Sequence, residues 1–183
     1  MTTYSIRQIG DPVLRQKADD VTEIDGSLAD NAHTMIETMY AAPGGGLAAT
    51  QVGITKRYFV FDTDDGPKVA INPEIVEERG ECEWTEGCLS IPGYVAEINR
   101  RERVWVEAQD RHGRPFKFSE HGFVARAVQH ELDHLKGTLY IDYLESLDEL
   151  IPVNEQDDPD EDPESPSAKR RKRAARVAGA HSH

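Results

Sequence analysis

The chain has 183 residues, 38% of them hydrophobic and 30% charged, enough to bury one core and too little for two. No apolar run approaches the roughly 20 residues that span a bilayer, and residues 1–16 lack the basic-then-apolar order of a secretory signal. Two cysteines exclude a disulfide framework, and a formal charge of -13 disfavours nonspecific nucleic-acid binding except through a local basic patch, so a cytoplasmic protein with free thiols and no membrane partner is expected.

The first periodic segment, 27–42, places Leu28, Ala32, Met35, Ile36 and Met39 at helical spacing, with Asp25 or Ser27 available as N-cap. Pro43 and the run Gly44, Gly45, Gly46 end it. Short β-rich stretches follow: RYFVFD, KVAINP, the region 83–89 and RVWVEAQD. Residues 110–113 supply turn chemistry before RPFKF, which predicts a hairpin and antiparallel pairing. A second helix is expected over 122–136, closed by Gly137. No internal repeat is present, and the expected class is α+β.

The last thirty residues differ in kind. Positions 154–167 hold seven acidic residues, no basic one and three prolines, a composition that cannot bury a core, so a disordered linker is expected there. Six Lys or Arg follow between Lys169 and Arg176. The predicted organisation is a catalytic domain over 1–153 and a tail over 154–183, acidic and then basic.

Within the second helix, HELDH sets His130 and His134 four residues apart, which puts both imidazoles on one face and within reach of a single ion. Glu131 lies beside them, placed to act on a water without occupying a coordination position. Leu132 and Leu135 supply an apolar face to pack the helix. A catalytic site of this type needs a third protein ligand and an open position. Tyr140 stands where one protease class has a third histidine, and Glu145 and Glu149 lie close to the helix end. Cys88 in EGCLS is the strongest candidate, completing a Cys plus two His set. Cys82, between Glu81 and Glu83, is expected to be a small buried residue without function. His33, His112, His121, His181 and His183 are assigned to surface or tail.

Three segments, GGGLAATQVG at 44–53, EGCLS at 86–90 and QHELDHLKG at 129–137, resemble in order and separation the signature motifs of peptide deformylases, which remove the N-terminal formyl group from nascent bacterial and organellar proteins. The resemblance runs from about Ile6 to Leu147 and leaves the tail uncovered. It implies antiparallel sheets packed around a central helix that carries the His-Glu-x-x-His motif. It implies that Cys88, His130 and His134 hold one divalent metal, usually Fe(II) in bacterial cells, with Zn, Ni or Co able to replace it.

It further implies hydrolysis of the formyl amide of a formyl-Met peptide, with Glu131 moving the protons and the Gln51 side-chain amide and the Leu89 N–H donating to the formyl oxygen. Gly44, Gly45, Gly46 and Gly87 would let the substrate backbone approach closely, and Leu89 and Val128 are expected beside the methionine side chain. Two positions depart from commoner patterns: Gly45, often bulkier, and Val95, often arginine. A monomer is expected, with the basic run as a candidate contact to ribosomal RNA phosphates. The alternatives are a tail folded back on its own acidic linker and, for the whole chain, a zinc endopeptidase or a non-catalytic ribosome-associated binder.

Overall fold

A computed structural model describes residues 2–154, 162–166, 168–170 and 172. After a 3-10 turn at Pro12–Arg15 comes helix α1 (Gly26–Ala41), capped by the Asp25 carboxylate, which accepts from the Leu28 N–H at 3.0 Å. It buries the predicted stripe of Leu28, Ala32, Met35, Ile36 and Met39.

The strands are β1 (Gly46–Ala48), β2 (Tyr58–Thr63), β3 (Gly66–Arg79), β4 (Cys82–Cys88), β5 (Ile91–Arg100), β6 (Arg103–Gln109) and β7 (Pro115–His121). Helix α2 (Gly122–Leu135) and the short β8 (Ile151–Pro152) complete the order. One sheet runs β1-β2-β3-β6-β7 and the other β4-β5-β8, and every strand pair in them is antiparallel.

Strand β2 shows why its sequence is continuously apolar. Phe59 and Phe61 point to one face, against Val124, Val128 and Leu132 of α2, while Tyr58 and Val60 point to the other, against Met35 and Met39 of α1. Both faces are covered from Tyr58 to Phe61, so alternation by two leaves no polar position there, and Asp62 and Thr63 follow at the end of the strand. A third apolar cluster, with Leu14, Ile91, Ala96, Ile98, Leu139 and Tyr140, joins the smaller sheet to the chain after α2. Helix α2 thus lies between layers. Its register is pinned by Gln129, whose amide donates to the Arg101 carbonyl at 2.8 Å and accepts from the Arg101 N–H at 2.9 Å.

The expected strands are found, with four differences, the short β8 being one not anticipated from the sequence. Strand β3 runs through Pro73 instead of ending there, because a register shift between Ile71 and Glu74 leaves no ladder bond for proline to break. Strand β5 was not anticipated; Pro92 and Gly93 stand near its start. Strand β1 was taken for loop, because its glycines look like punctuation. No described helix is long and apolar enough to cross a membrane.

The expected disordered linker over 154–167 does not describe residues 162–166. Ser165 and, beyond it, Ala168 are buried, and Asp162 pairs with Arg126 at 3.3 Å. An acidic, proline-containing stretch cannot make a core of its own, yet it can lie on an existing one where opposite charges meet it. The remaining residues of the acidic stretch and of the basic run, with His181 and His183, lie outside the described residues.

Candidate metal centre and substrate pocket

Two elements supply the candidate metal ligands. Residues 130 and 134 lie one turn apart on α2, and the last residue of β4, Cys88, faces them. The His130 and His134 Nε2 atoms are 3.1 Å apart, and the Cys88 sulfur is 3.3 Å from His134 Nε2. All three donor atoms lie within 4.8 Å of one another. Both imidazoles are buried, and His134 Nδ1 has no hydrogen-bond partner.

Strand alternation puts Glu86 on the same face as Cys88, and its carboxylate oxygen sits 2.5 Å from His130 Nδ1. That contact leaves Nε2 as the free coordinating atom, the usual way an outer carboxylate orients a metal-binding histidine. Glu86 is in turn held by Arg100, at 3.0 Å from Nε and 2.6 Å from Nη2. Arg100 also reaches Asp133 at 2.5 Å, and Tyr143 donates to the same Asp133 oxygen at 2.9 Å. Burial would raise the Glu86 carboxyl, but His130 and Arg100 outweigh it and hold it down at about 2.

Burial alone would deprotonate His130, yet the charges of Cys88 and Glu86 prevail and raise its pKa, while burial and the facing His130 lower that of His134. A thiol sulfur and two imidazole nitrogens aimed at one point, one imidazole pinned from behind, fit a single divalent transition metal.

A pocket opens beside these ligands. The glycines at 44, 45 and 46 form one lip, and Gly87, Cys88 and Leu89 form the opposite one. Gln51 closes the inner end, and Phe123, Arg126, Ala127 and Glu131 of α2 line the wall. Glu131 is 4% exposed, and a Cβ built on Gly46 would lie 2.7 Å from its Oε1, so the lip approaches the carboxylate as only glycine allows. The Gln51 Oε1 accepts from the Ala48 N–H at 2.9 Å, and its Nε2 donates to Ser90 Oγ at 3.0 Å with Cys88 Sγ 3.8 Å away. Leu89 stands in the turn between β4 and β5.

The chain matches the family model described as polypeptide deformylase over residues 3–149. It belongs to the polypeptide deformylase family. It is 49% identical over 152 residues to the peptide deformylase of Dehalococcoides mccartyi, an overlap of 82% of this chain and 91% of that one. The peptide deformylase structure from Thermotoga maritima superposes with a TM-score of 0.77 at 46% identity, covering 80% of this chain and 100% of the other. That from Synechococcus elongatus, in complex with actinonin, gives 0.76 at 44%, covering 80% and 81%. The deformylase is a metal-dependent hydrolase that removes the formyl group from the N-terminus of nascent polypeptides.

The pocket of this deformylase is lined by Cys88, His130, Glu131, Gln51, Leu89 and the four singled-out glycines, and His134 stands behind its lining, beside Cys88 and His130. Val128 is not among the lining residues; it is fully buried and points into the core against β2. Val95 is buried too, opposite Gly87 in the β4–β5 ladder. His33, His112 and His121 are exposed, and Cys82 is half-buried at the start of β4.

Sequence reasoning missed Glu86, Arg100, Ser90, Phe123 and Arg126. Glu86 was findable, since it stands two residues before Cys88 in a strand and must share its face. Arg100 is one of three arginines in NRRER, and no local signal separates it from its neighbours.

Proposed function

We propose that hydrolysis runs with Cys88, His130 and His134 holding one divalent ion, Fe(II) in the cell and replaceable by Zn, Ni or Co, and with Glu131 as general base and then general acid. The convergence of one sulfur and two Nε2 atoms beside the Glu131 carboxylate carries this reading. When bound, the ion supplies Lewis acidity toward the formyl carbonyl and lowers the pKa of a water toward about 7.

Glu131 takes a proton from the attacking water as its oxygen bonds to the formyl carbon. Charge then moves onto the formyl oxygen, where the Gln51 side-chain amide and the Leu89 N–H donate, each such donor worth about 2.7 to 4 kcal/mol. The C–N bond breaks as Glu131 returns the proton to the leaving amine, giving formate and a free N-terminus. Gly44, Gly45, Gly46 and Gly87 leave room for the peptide backbone along both lips, and the apolar wall at Phe123 receives the methionine side chain.

Formate release from formyl-Met-Ala-Ser by anaerobically purified protein of measured metal content tests this. Wild type is expected to turn over, and Glu131→Ala at equal metal content to lose about 100- to 10,000-fold in kcat. An inactive, fully metallated wild type would sink the assignment, and an active Glu131→Ala would remove the role of Glu131.

We read the catalytic unit as 1–153, acting as a cytoplasmic monomer, with the basic run of the tail as its contact to ribosomal RNA phosphates. Lys169 and Arg170 are engaged on the body of the protein, which leaves the cations from 171 to 176 for that role. Cosedimentation with ribosomes at low salt should fall when 171–183 are removed; unchanged cosedimentation would end the recruitment idea.

A further inference from the structure

The tail meets the body on both sides of the substrate pocket. On one side is Arg126, 8% exposed, whose guanidinium lies 5.0 Å from the Trp84 ring and 4.7 Å from the Phe123 ring. Its Nη1 donates to the Thr85 carbonyl at 3.2 Å and its Nη2 to the Asp162 carboxylate at 3.3 Å. On the other side is Asp62, a carboxylate only 2% exposed at the end of β2, which accepts from the Tyr40 hydroxyl at 2.9 Å and pairs with Arg170. Arg170 also donates to the Thr63 carbonyl at 3.1 Å and lies over the Tyr40 ring. Ser165 caps the helical turn between these anchors, accepting from the Ala168 N–H at 3.1 Å.

Each anchor reaches the pocket through one further contact. The Asp62 N–H donates to the carbonyl of Gly45 at 3.0 Å, and Gly45 is the middle residue of the glycine lip. A Cβ on Gly45 would lie 2.6 Å from the Phe123 ring, which fills the space where a side chain would stand. The contacts close a ring: Gly45 to Phe123, Phe123 to Arg126, Arg126 to Asp162, along the tail to Arg170, then Asp62 and back to Gly45. Three consecutive glycines carry more backbone freedom than any other tripeptide. An unpaired carboxylate buried behind them would draw in water or move outward to reach it.

We propose that residues 162–166 and 168–170 act as a strap that positions the substrate pocket, with Arg170 and Asp162 as positioning residues: Arg170 holds the glycine lip through Asp62, and Asp162 holds the Arg126 wall. Neither touches the reacting atoms. The proposal rests on the deformylase reading of the pocket. The strap acts on substrate binding, because the ring runs through Gly45, Phe123 and Arg126 of the pocket lining and through none of Cys88, His130, His134 and Glu131.

The test is steady-state hydrolysis of formyl-Met-Ala-Ser by the full-length, metal-loaded protein, comparing wild type with Arg170→Ala, Arg170→Lys, Asp162→Asn and the pair Arg170→Ala with Asp62→Asn. Arg170→Ala is expected to raise KM about tenfold while leaving kcat within about twofold. Arg170→Lys should recover most of the loss. Neutralising Asp62 in the paired variant should recover part, since no buried charge is then left uncompensated. Asp162→Asn should raise KM by a smaller factor, and 0.5 M KCl should weaken wild type more than Arg170→Ala by screening the pairs. An unchanged KM in both Arg170→Ala and Asp162→Asn, or a fall in kcat without a change in KM, would overturn the strap. A wild type that releases no formate would instead count against the deformylase reading.

Discussion

Gly46 shows how far one residue's missing atoms reach into the chemistry. A methyl group there would stand 2.7 Å from Glu131 Oε1 and 2.8 Å from its Cγ, closer than real Cβ contacts come. Its backbone φ is not among the positive values of the chain, so alanine meets no backbone strain and the clash falls on the carboxylate alone. Gly46→Ala is therefore expected to leave thermal stability within a few degrees of wild type and to cut kcat about 100-fold, because displacing a proton-transfer group by about 1 Å has that cost. Parallel melting and formate-release curves check it; an unchanged kcat would mean that Glu131 can act from another rotamer. Glu86 makes the complementary point, since its contacts with His130 and the Arg100 guanidinium outweigh burial and keep it charged while it holds His130 by Nδ1.

At the scale of elements, the junctions place the catalytic groups. The chain leaves α2 at Gly137, whose φ of +77 permits the turn and whose missing Cβ admits the Arg15 carbonyl at 2.5 Å. Arg15 then binds Asp142 through both nitrogens, at 2.6 and 3.0 Å, and Asp142 also accepts from the Leu139 N–H at 3.0 Å. These contacts tie the Pro12–Arg15 turn to the Tyr140–Tyr143 turn and fix the end of the helix that carries His134. The hydrogen bond from Arg15 is the main reason the Asp142 carboxyl lies below its ordinary value, against the opposing effect of burial. A carboxyl depressed in the folded state contributes stability above its unfolded pKa of 3.8 and loses it as pH falls through the folded value. Asp142→Asn should thus destabilise the metal-free protein by about 0.5 to 1 kcal/mol at pH 7, the range of a partly exposed ion pair, and the gap should shrink toward pH 3. Urea midpoints at both pH values measure this. A gap independent of pH would assign the effect to packing instead of the Arg15 pair, since asparagine can keep the Leu139 bond.

At the scale of the whole molecule, the -13 net charge hides an uneven distribution. The tail's first two cations meet carboxylates of the body, Lys169 at Asp64 and Arg170 at Asp62, and its Asp162 meets Arg126. Lys169 also lies 3.5 Å from Glu164, five residues before it in the chain.

The candidate metal-binding face of α2 was legible because helical periodicity is local: four residues make about one turn, and the shared face of His130 and His134, with Glu131 beside it, follows from spacing alone. The two helices, the two-faced strand β2 and the hairpin into β7 were legible for the same reason, since side-chain direction along a helix or strand depends only on near neighbours. The third candidate ligand, Cys88, could be nominated but not joined to the histidines without the family's motif order, because it stands 42 positions before His130 in the chain. What only the tertiary structure decided was which distant groups meet: Glu86 with Arg100 and Asp133, Phe123 in the space of an absent side chain at Gly45, and an acidic tail seated on Arg126. A buried charge needs its counter-charge in space and is indifferent to its distance along the chain, so no periodicity in the sequence records those pairings.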